Sequence, residues 1–599
     1  MVQTVDSSSE LILQLWRQFS RRRKIQFIIL LGLMLLSSFA EMLTIGAVLP
    51  FLSVLTNPAA VFDMPAVQPV MQLLAISTTQ QLLFSVTLLF AAAALVAGAT
   101  RLTLMWANAK LSFAVGADLS IEVYRRTLYQ PYEVHISRNV SEVVHGIAAK
   151  TGGVISGVIL PSLSFISAIL ILMSVLLALM AIDPITATAV ICGFGFAYFV
   201  IAKITRKRIL LNGQISVRES NQIVKTLHEG LGGIRDVLLD GTQATFIEIY
   251  RKSDLSYRTA QGNNLFITMA PRHITEAVGM LLIIAVAYTL AIRTEGLASA
   301  IPILGALALG GQRALPVLQQ AYASWITIKA NQFLLKTLLE LLTQPISSKK
   351  NRSTTLPISF TEKISLNNIS FRYNPDMPWI IKDFDLTIRR GERVGFIGKT
   401  GCGKSTLLDI VMGLLKCEHG SLAIDGVNID QENLRSWQLH LAHVPQSIYL
   451  SDTSIQENIA FGIESNKIDL GLVRKAATEA HLSELIDSWP NKYQTLVGDR
   501  GVRLSGGQRQ RIGIARALYK QADVIIFDEA TSALDGDTEK LIMQSVESLS
   551  ANLTVLMIAH RIETLRNCSR IIELGPNGIL NVSSYGELVF RREASRQSH

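Results

Sequence analysis

The stretch VGFIGKTGCGKSTLLDI, Val394 to Ile410, decides the fold of the second half of this chain. An apolar strand, a glycine-rich loop and a helix follow one another in it, and the loop fits the pattern G-x-x-x-x-G-K-[ST]. Gly398, Gly401 and Gly403 can present backbone N–H groups to a phosphate at the positive end of the helix, because no Cβ obstructs the approach. The pattern therefore predicts a nucleotide site in which Lys404 reaches the β and γ phosphates.

A second stretch, DVIIFDEA at residues 523–530, supplies two carboxylates. Its four apolar residues predict a buried strand that ends in Asp528 and Glu529. At a strand end, Asp528 is expected to hold Mg²⁺, directly or through water, together with the hydroxyl of Ser405 in the phosphate loop. Glu529 can act as the general base that polarises the attacking water. A solvated acidic turn, the alternative, would not require the preceding apolar run.

Each of three further residues has two possible roles, one at the nucleotide site and one purely structural. Gln446 in VPQ and His560 in IAHR follow apolar strands, where each side chain can reach a γ-phosphate or its water, although strand ends also carry ordinary polar residues. Tyr373 in FRYNPDMPW can stack on adenine or simply pack. Spacing alone leaves these alternatives open.

The motif LSGGQ, Leu504 to Gln508, lies between Gln446 and the two carboxylates. Taken alone it is a helix start with a serine cap and a glycine turn, followed by the helical pattern RQRIGIARAL. The chain thus has two helix starts suited to an anion, one in the phosphate loop and one here.

Together these motifs resemble those of an ATP-binding cassette. Residues 357–590 contain the phosphate loop, Gln446, LSGGQ, the Asp528–Glu529 pair, SALD at 532–535 and His560 in that family's order and approximate spacing. The resemblance implies an α/β nucleotide-binding domain with ATP and Mg²⁺ as cofactors. It makes Tyr373 the adenine stacker, Gln446 the sensor of ligand and transport domain, Glu529 the base and His560 the γ-phosphate switch.

The resemblance also implies a partner subunit. In this family Ser505 and Gly507 contact the γ-phosphate of ATP held by the other subunit's phosphate loop, and neither half-site here is degenerate, so a homodimer is the simplest arrangement. The nucleotide contacts implied by the family are Tyr373, Gly398, Gly401, Gly403, Lys404, Ser405, Thr406, Gln446, Ser505, Gly507, Gln508 and Asp535. The catalytic set is Glu529, His560, Gln446 and Lys404, and the metal ligands are Ser405, Gln446 and Asp528.

The first half of the chain is strongly apolar. Hydrophobic residues make up 49% of the 599 residues, a high fraction for a soluble protein. Runs that can span a bilayer, at about 20 residues each, lie at 25–55, 82–107, 153–181, 185–202, 277–292 and 297–325. The sequence predicts an N-terminal segment 1–24, a six-span α-helical transmembrane domain over 25–330, a linker over 331–356 and a nucleotide-binding domain over 357–599.

Charge distribution predicts the orientation. RRRK at 21–24 and the connections 108–152 and 203–265 carry Lys and Arg, whereas 56–81 carries none. Both termini and the cassette are therefore expected on the cytoplasmic side of the membrane. The net charge of +9 follows the hydrophobic segments, which favours lipid headgroups over nucleic acid. The four cysteines show no pairing pattern.

Six spans before one cassette resemble an exporter-type half transporter. By this resemblance, residues 129–137 and 229–241 are candidates for the short coupling helices at the tips of the cytoplasmic helical extensions. Residues 66–76 are too short to span a membrane. They are either an amphipathic helix on its outer face or a packed external loop.

Four ionisable residues fall inside predicted spans. Glu41 lies in span one, and Arg101, Arg272 and Arg313 lie at a similar depth near the inner leaflet. In a homodimer the arginines would form a ring of six cations facing a substrate cavity. The alternative is snorkelling to the interface with local pairing, since Glu276 follows Arg272 by four residues.

The arginine ring would suit a diphosphate headgroup, which guanidinium binds bidentately. SFAEMLTIGAVLPFLSVL at 38–55, PRHITEA at 271–277 and RALPVLQQ at 313–320 resemble bacterial flippases of lipid-linked oligosaccharides and polysaccharide exporters. The expected function is ATP-driven flipping or export of an anionic amphiphile, a polyprenyl-diphosphate-linked oligosaccharide. The alternatives are a lipid or multidrug exporter and, from another class, an ATP-gated channel or receptor.

Overall fold

The computed structural model describes most of the chain, which divides into two compact units. Residues 1–130 and 138–345 form the first unit, and residues 131–137 and 346–599 form the second. The described residues are 8–56, 58–62, 68–73, 76–138, 143–144, 146–182, 184–292, 297–344, 358–529, 536–549, 552–559, 561–575 and 578–597.

The first unit is helical in its described residues. Its α-helices are α1 (Ser8–Gln18), α2 (Arg21–Thr56), α3 (Pro58–Phe62), α4 (Gln68–Leu73), α5 (Thr79–Leu128), α7 (Thr151–Val154), α8 (Leu160–Ile182), α9 (Pro184–Gly232), α10 (Ile234–Leu239), α11 (Gln243–Ile292), α12 (Leu297–Ala330) and α13 (Gln332–Thr343), while α6 (Tyr132–Ile136) groups with the second unit. Two π-helical stretches, Gly146–Lys150 and Ile155–Ile159, flank α7.

Three helical stretches in the described residues are long and apolar enough to cross a membrane: Arg21–Thr56, Thr79–Leu128 and Thr151–Ala181. They contain the first three predicted spans. The other three predicted spans lie within α9, α11 and α12, where many side chains of the apolar segments are outside the described part. Only 11% of the most apolar window of Thr79–Leu128 is buried inside the protein, so its surface is suited to lipid or to a second chain.

The helix that follows the last span packs on the N-terminal helix. In α13, Leu335, Leu338, Leu339 and Leu342 recur at helical spacing and are 0–3% exposed. They share one apolar cluster with Leu11 and Leu15 of α1, and burying each such leucine contributes about 2 kcal/mol. The predicted linker 331–356 therefore begins as a packed helix of the first unit.

The short segment predicted to be external contains a packed helix. Helix α4 lies within the predicted stretch 66–76, and its Met71 is 6% exposed. Met71 clusters with Val54, Val61 and Leu82 from neighbouring helices. In the described residues, this packing favours the interpretation of a packed external loop.

The two candidate coupling segments each contain a short helix. Helix α6 lies within 129–137, and the Glu133 carboxylate accepts a hydrogen bond from the Lys416 backbone N–H at 3.4 Å in the second unit. Helix α10 lies within 229–241 and exposes Leu238 and Leu239 at 60% and 82%. An apolar tip of this kind is suited to burial against another surface.

The second unit is an α/β domain with two sheets. The strands are β1 (Lys363–Phe371), β2 (Ile381–Arg389), β3 (Arg393–Gly398), β4 (His419–Ile424), β5 (Val427–Asn428), β6 (Leu441–Val444), β7 (Val524–Asp528), β8 (Thr554–Ile558), β9 (Arg570–Gly575) and β10 (Gly578–Ser583). The α-helices are α14 (Lys404–Val411), α15 (Leu434–Leu439), α16 (Ile455–Ile459), α17 (Leu470–Glu479), α18 (Ser483–Asp487), α19 (Gly506–Tyr519), α20 (Gly536–Leu549) and α21 (Tyr585–Gln597).

The larger sheet positions the candidate site. Its order is β10-β9-β3-β8-β7-β6, with all strands parallel except β10. Alternate residues of β7 enter two separate apolar cores, Ile525 and Phe527 on one face and Val524 and Ile526 on the other. Because parallel strands end at one edge, the residues after β3, β6, β7 and β8 gather there. The smaller antiparallel sheet has the order β2-β1-β4-β5.

A buried histidine in β6 makes the stability of this domain depend on pH. Burial lowers the pKa of His443 to about 4, and its Nε2 has no hydrogen-bond partner among the described residues. Between about pH 6.5 and 4, the unfolded chain therefore binds a proton at His443 and the folded chain does not. We expect the free energy of unfolding to fall by about 3 kcal/mol as pH drops through that window.

Thermal unfolding of the full chain between pH 4 and 7 measures this effect, with His443→Leu as the test variant. Leucine has no titratable group, so the variant should lose most of the slope. His481, which is exposed, provides the control substitution His481→Leu. An unchanged slope in His443→Leu would contradict the assignment.

Candidate functional site

The phosphate loop joins β3 to α14 and depends on glycine backbone geometry. Gly398, Gly401 and Gly403 have φ values of 154°, 84° and 93°. These values lie in the region that residues with a Cβ rarely occupy. A Cβ on Gly398 would also lie 2.4 Å from the carbonyl oxygen of Leu574. The predicted loop is therefore present, and its shape requires glycine.

Lys404 is the first residue of α14, and its ammonium turns back over the loop. Nζ donates hydrogen bonds to the carbonyl oxygens of Gly398 and Lys399, each at 3.0 Å. The side chain is largely buried, with the whole residue 8% exposed. The positive charge is thus held beside the backbone that would surround a phosphate, and its contact with the β and γ phosphates stays a prediction.

The residues predicted to hold Mg²⁺ lie close together. The Ser405 hydroxyl donates to Asp528 Oδ1 at 3.5 Å. Burial raises the pKa of Asp528, the neighbouring Glu529 raises it further, and the Ser405 hydrogen bond and Lys404 act in the opposite direction. A carboxylate held in this way is stabilised by a cation, so Ser405 and Asp528 fit an Mg²⁺ that would take its other ligands from phosphate and water.

Glu529 and Gln446 form a direct pair at the edge of the sheet. Gln446 Nε2 donates to Glu529 Oε2 at 2.7 Å. Glu529 has a φ of 51°, in the left-handed region, and its N–H donates to the carbonyl of Ile558 at 3.1 Å. Such backbone strain is held in place by surrounding structure and is frequent at functional sites. Gln446 therefore orients the carboxylate assigned as general base.

Tyr373 presents its ring at the protein surface. The residue is 46% exposed, its hydroxyl is 3.2 Å from the Thr406 hydroxyl, and its ring meets Phe371 edge-on. An exposed aromatic face anchored at its polar end can accept a base by stacking. The hydrogen bond to Thr406 joins residues 33 positions apart, and no sequence pattern indicated it.

The signature motif is built as a capped helix. Ser505 precedes α19, and its Oγ accepts from the Gln508 N–H at 3.2 Å. The Gln508 side chain accepts from the Ser505 N–H at 2.9 Å, which completes a capping box. Ser505 is exposed, and Gly506 and Gly507 are half-buried. The helix tip therefore faces outward from the protomer, and the role of Ser505 and Gly507 toward a partner's nucleotide stays a prediction.

Two predicted site residues, His560 and Asp535, lie outside the described residues, as does the whole of SALD at 532–535. Ala559, directly before His560, is described and follows β8 at the same sheet edge. The roles assigned to His560 and Asp535 therefore stay predictions.

Sequence reasoning missed one titratable residue beside this site. Burial and, to a smaller extent, the nearby charge of Asp528 together raise the pKa of Asp409 to about 6. Asp409 follows Leu408 and precedes Ile410, which are 1% and 2% exposed, on the helix that starts with Lys404. In the sequence, a carboxylate that lies between two apolar residues one turn after the phosphate loop indicates burial of this kind.

In the first unit, three of the four charged residues from the spans come together. Glu41 is 3% exposed in its side chain and accepts from Arg313 Nη1 at 2.5 Å. Arg101 Nη1 lies 3.8 Å from the other carboxylate oxygen. The two guanidinium side chains are 40% and 47% exposed. One buried carboxylate therefore faces two half-exposed cations within apolar helices.

Arg272 is not part of this cluster. It donates to Glu276 at 2.8 Å, four residues further along α11, and its side chain is 60% exposed. This is the local pairing with Glu276 that the sequence offered as the alternative to a ring of arginines. Two glutamates against three arginines leave one net positive charge per chain among these five residues, fewer than an uncompensated ring would carry. The ring itself stays a prediction.

Residues 381–532 match the ABC transporter family. The chain is 36% identical over 262 residues to an ATP-dependent lipid A-core flippase of Chromohalobacter salexigens, a match that covers 44% of this chain and 45% of that protein. It is 40% identical over 227 residues to the protein of the same description in Psychrobacter arcticus, with 38% of each chain covered. The chain thus spans less than half the length of these relatives in the matches.

A solved structure shares the fold over nearly the whole chain. It is described as a bacterial Atm1-family ABC exporter with ATP bound, and it superposes with a TM-score of 0.77. The match covers 96% of this chain and 98% of that one at 21% identity. This confirms the predicted fold class, a helical membrane domain of the exporter type followed by an α/β cassette. The chain therefore has the fold of an ABC exporter half transporter, and residues 381–532 in its second half match the ABC transporter family.

Proposed function

We propose that the chain is one half of a homodimeric, ATP-driven flippase or exporter in the bacterial inner membrane. The substrate that we infer is an anionic amphiphile, a polyprenyl-diphosphate-linked oligosaccharide that moves from the inner to the outer leaflet. The observation that carries this proposal is the cluster of Glu41, Arg101 and Arg313 within otherwise apolar helices.

The cluster favours an anion for electrostatic reasons. Charged side chains inside a membrane are costly, and they face a cavity, a counter-ion or each other. Glu41 offsets one of the two arginines, so one positive charge is uncompensated by it. Guanidinium binds phosphate oxygens bidentately, and both guanidinium groups are 40% or more exposed. A diphosphate supplies the missing negative charge in a suitable geometry.

ATP hydrolysis would use the residues at the edge of the larger sheet. Lys404 and the glycine loop bind and orient the phosphates. Glu529, oriented by Gln446, accepts the proton of the attacking water. Mg²⁺, held by Ser405 and Asp528, would neutralise the charge that develops on the phosphate oxygens.

Two exposed surfaces support a homodimer. Ser505 lies at an outward-facing helix tip, where it can meet a nucleotide on a second copy. The α10 tip exposes Leu238 and Leu239, which a second chain could bury. The likeness to lipid A-core flippases supports a lipid-linked substrate, and the cationic first turn of α2 supports cytoplasmic termini.

Reconstituted ATPase activity tests the proposal. In proteoliposomes we expect a polyprenyl diphosphate with an attached oligosaccharide to raise turnover severalfold, because an anion completes the charge cluster. Phosphatidylcholine serves as the control and should leave turnover unchanged. Stimulation by neutral or cationic amphiphiles alone would instead support a lipid or multidrug exporter. An ion current gated by ATP without matching turnover would support a channel.

A further inference from the structure

The first unit contains an open cavity, lined largely by uncharged polar residues and glycine, that is separate from the charge cluster. It has a volume of about 830 Å³. Four parts of the chain border it: α7 with its flanking π-helical stretches, α9, α11, and the junction of α12 with α13. Ligand-binding pockets commonly measure roughly 300–1,000 Å³. We name it the inner cavity, and its space suffices for a ligand of the size of a short oligosaccharide.

The chemistry of the lining is specific. Of its twenty residues nine are uncharged and polar, four are glycine, two are cationic and none is acidic. The polar residues are Ser156, Ser216, Ser220, Tyr257, Gln261, Asn264, Thr268, Thr327 and Asn331, and the cations are Lys150 and Arg258. Ser156, Thr268 and Thr327 each donate to a backbone carbonyl four residues earlier. Their hydroxyl oxygens can still accept, which suits a ligand rich in hydroxyl groups.

Glycines in the lining allow close helix packing at one side of the cavity and leave open space at another. A Cβ on Gly157 would lie 2.5 Å from the Asn331 side chain, and one on Gly213 would lie 2.3 Å from the Ala330 carbonyl oxygen. These two positions therefore allow the helices to close the wall at the α12–α13 junction. Gly262 differs, because a Cβ there would meet nothing within 4 Å. It faces the open space of the inner cavity.

The position of the inner cavity relates it to the charge cluster. Thr327 follows Arg313 by fourteen residues on α12, a distance of about 21 Å along a helix. On α11, Thr268 lies one turn before Arg272, which pairs with Glu276 and is outside the cluster. By the predicted orientation the inner cavity is at the cytoplasmic side of the cluster. A headgroup with its sugars in the inner cavity thus has arginine next along its path.

We infer that the inner cavity binds the saccharide part of the headgroup on the cytoplasmic side, before the diphosphate reaches the cluster of Glu41, Arg101 and Arg313. This inference rests on the proposed function and adds a separate, sugar-selective site to it. Neutral hydrogen bonds recognise the hydroxyl groups, and the positive charge of Lys150 tolerates attached phosphate, whereas Arg258 is paired with Asp254 one turn earlier. The lining lacks acidic residues that would repel it.

The test compares two lipids on the reconstituted full-length protein: a polyprenyl diphosphate with an oligosaccharide and the same lipid without sugar. Gly262→Leu fills the inner cavity without a backbone clash. We expect it to raise the half-saturating concentration of the sugar-bearing lipid about tenfold, the effect of about 1.4 kcal/mol of lost binding. The response to the bare lipid should stay within about twofold.

Gly32→Leu is the matched control, since a Cβ on Gly32 also meets nothing within 4 Å and its neighbours Leu31, Leu35 and Leu36 are exposed. Gln261→Met, at an exposed helix position, is a second test variant that removes the amide without adding bulk. Basal ATPase activity checks folding. Equal shifts for both lipids, or no shift in either test variant, would overturn the sugar site alone. A wild type that responds to neither lipid would overturn the proposed substrate and this site with it.

Discussion

Replacing Glu529 with glutamine should lower ATP turnover by about 10²- to 10⁴-fold, the usual contribution of a general base. Glutamine has nearly the shape of glutamate but cannot accept the proton of the attacking water. Its amide oxygen can still accept the hydrogen bond that Gln446 donates at 2.7 Å. The local structure should therefore persist while the chemical step fails, which steady-state phosphate release would measure.

The same variant should keep ATP bound and accumulate as a closed dimer. Loss of the Glu529 charge also removes a group that raises the pKa of Asp528, so the metal-binding carboxylate should ionise more readily. Light scattering with ATP and Mg²⁺ measures the mass, and bound nucleotide is quantified after gel filtration. Glu464→Gln is the control, because Glu464 is exposed and pairs only with Lys467 among the described contacts. Near-normal hydrolysis by Glu529→Gln would assign the base elsewhere.

The nucleotide half could be predicted in detail because its determinants are local. The phosphate loop needs glycine at 398, 401 and 403, and the structure has positive φ at all three. Asp528 and Glu529 end a strand whose apolar run is visible in the sequence. The carboxyl ends of parallel strands then bring Gln446 to Glu529, although 83 residues separate them. Local patterns and one topological rule suffice here.

The membrane half was less predictable because its contacts are non-local. Charge and depth indicated that Glu41 and the arginines matter, but spacing could not decide which arginine pairs with it. The partner, Arg313, is 272 residues away, while Arg272 finds Glu276 one turn along its own helix. The inner cavity was harder still to predict from the sequence, because its lining comes from four separate parts of the chain. No periodicity encodes such a space.

The pairing of Glu41 gives the second large expected effect. Arg313→Ala should destabilise the protein by about 3 kcal/mol or more, because it leaves a buried carboxylate with only Arg101, at 3.8 Å. Glu41→Gln combined with Arg313→Gln should recover most of that loss, since two neutral amides can hydrogen-bond without an unpaired charge. Denaturant unfolding of the detergent-solubilised protein measures both, and the single variants Glu41→Gln and Arg313→Gln complete a double-mutant cycle with the double variant.

Arg272→Ala separates this effect from a general loss of positive charge. Its side chain is 60% exposed and pairs one turn away with Glu276, so its removal should cost about 0–1 kcal/mol. In transport assays normalised to the amount of folded protein, the double variant Arg272→Ala with Arg313→Ala should lose stimulation by a diphosphate lipid but keep basal ATPase activity, since neither residue is one of those assigned to the nucleotide site. If Arg313→Ala lowered the free energy of unfolding no more than Arg272→Ala does, the buried Glu41 carboxylate would not require Arg313 for its stability. Unchanged stimulation in the double variant would instead remove both arginines from the substrate path, while the pairing of Glu41 would stand.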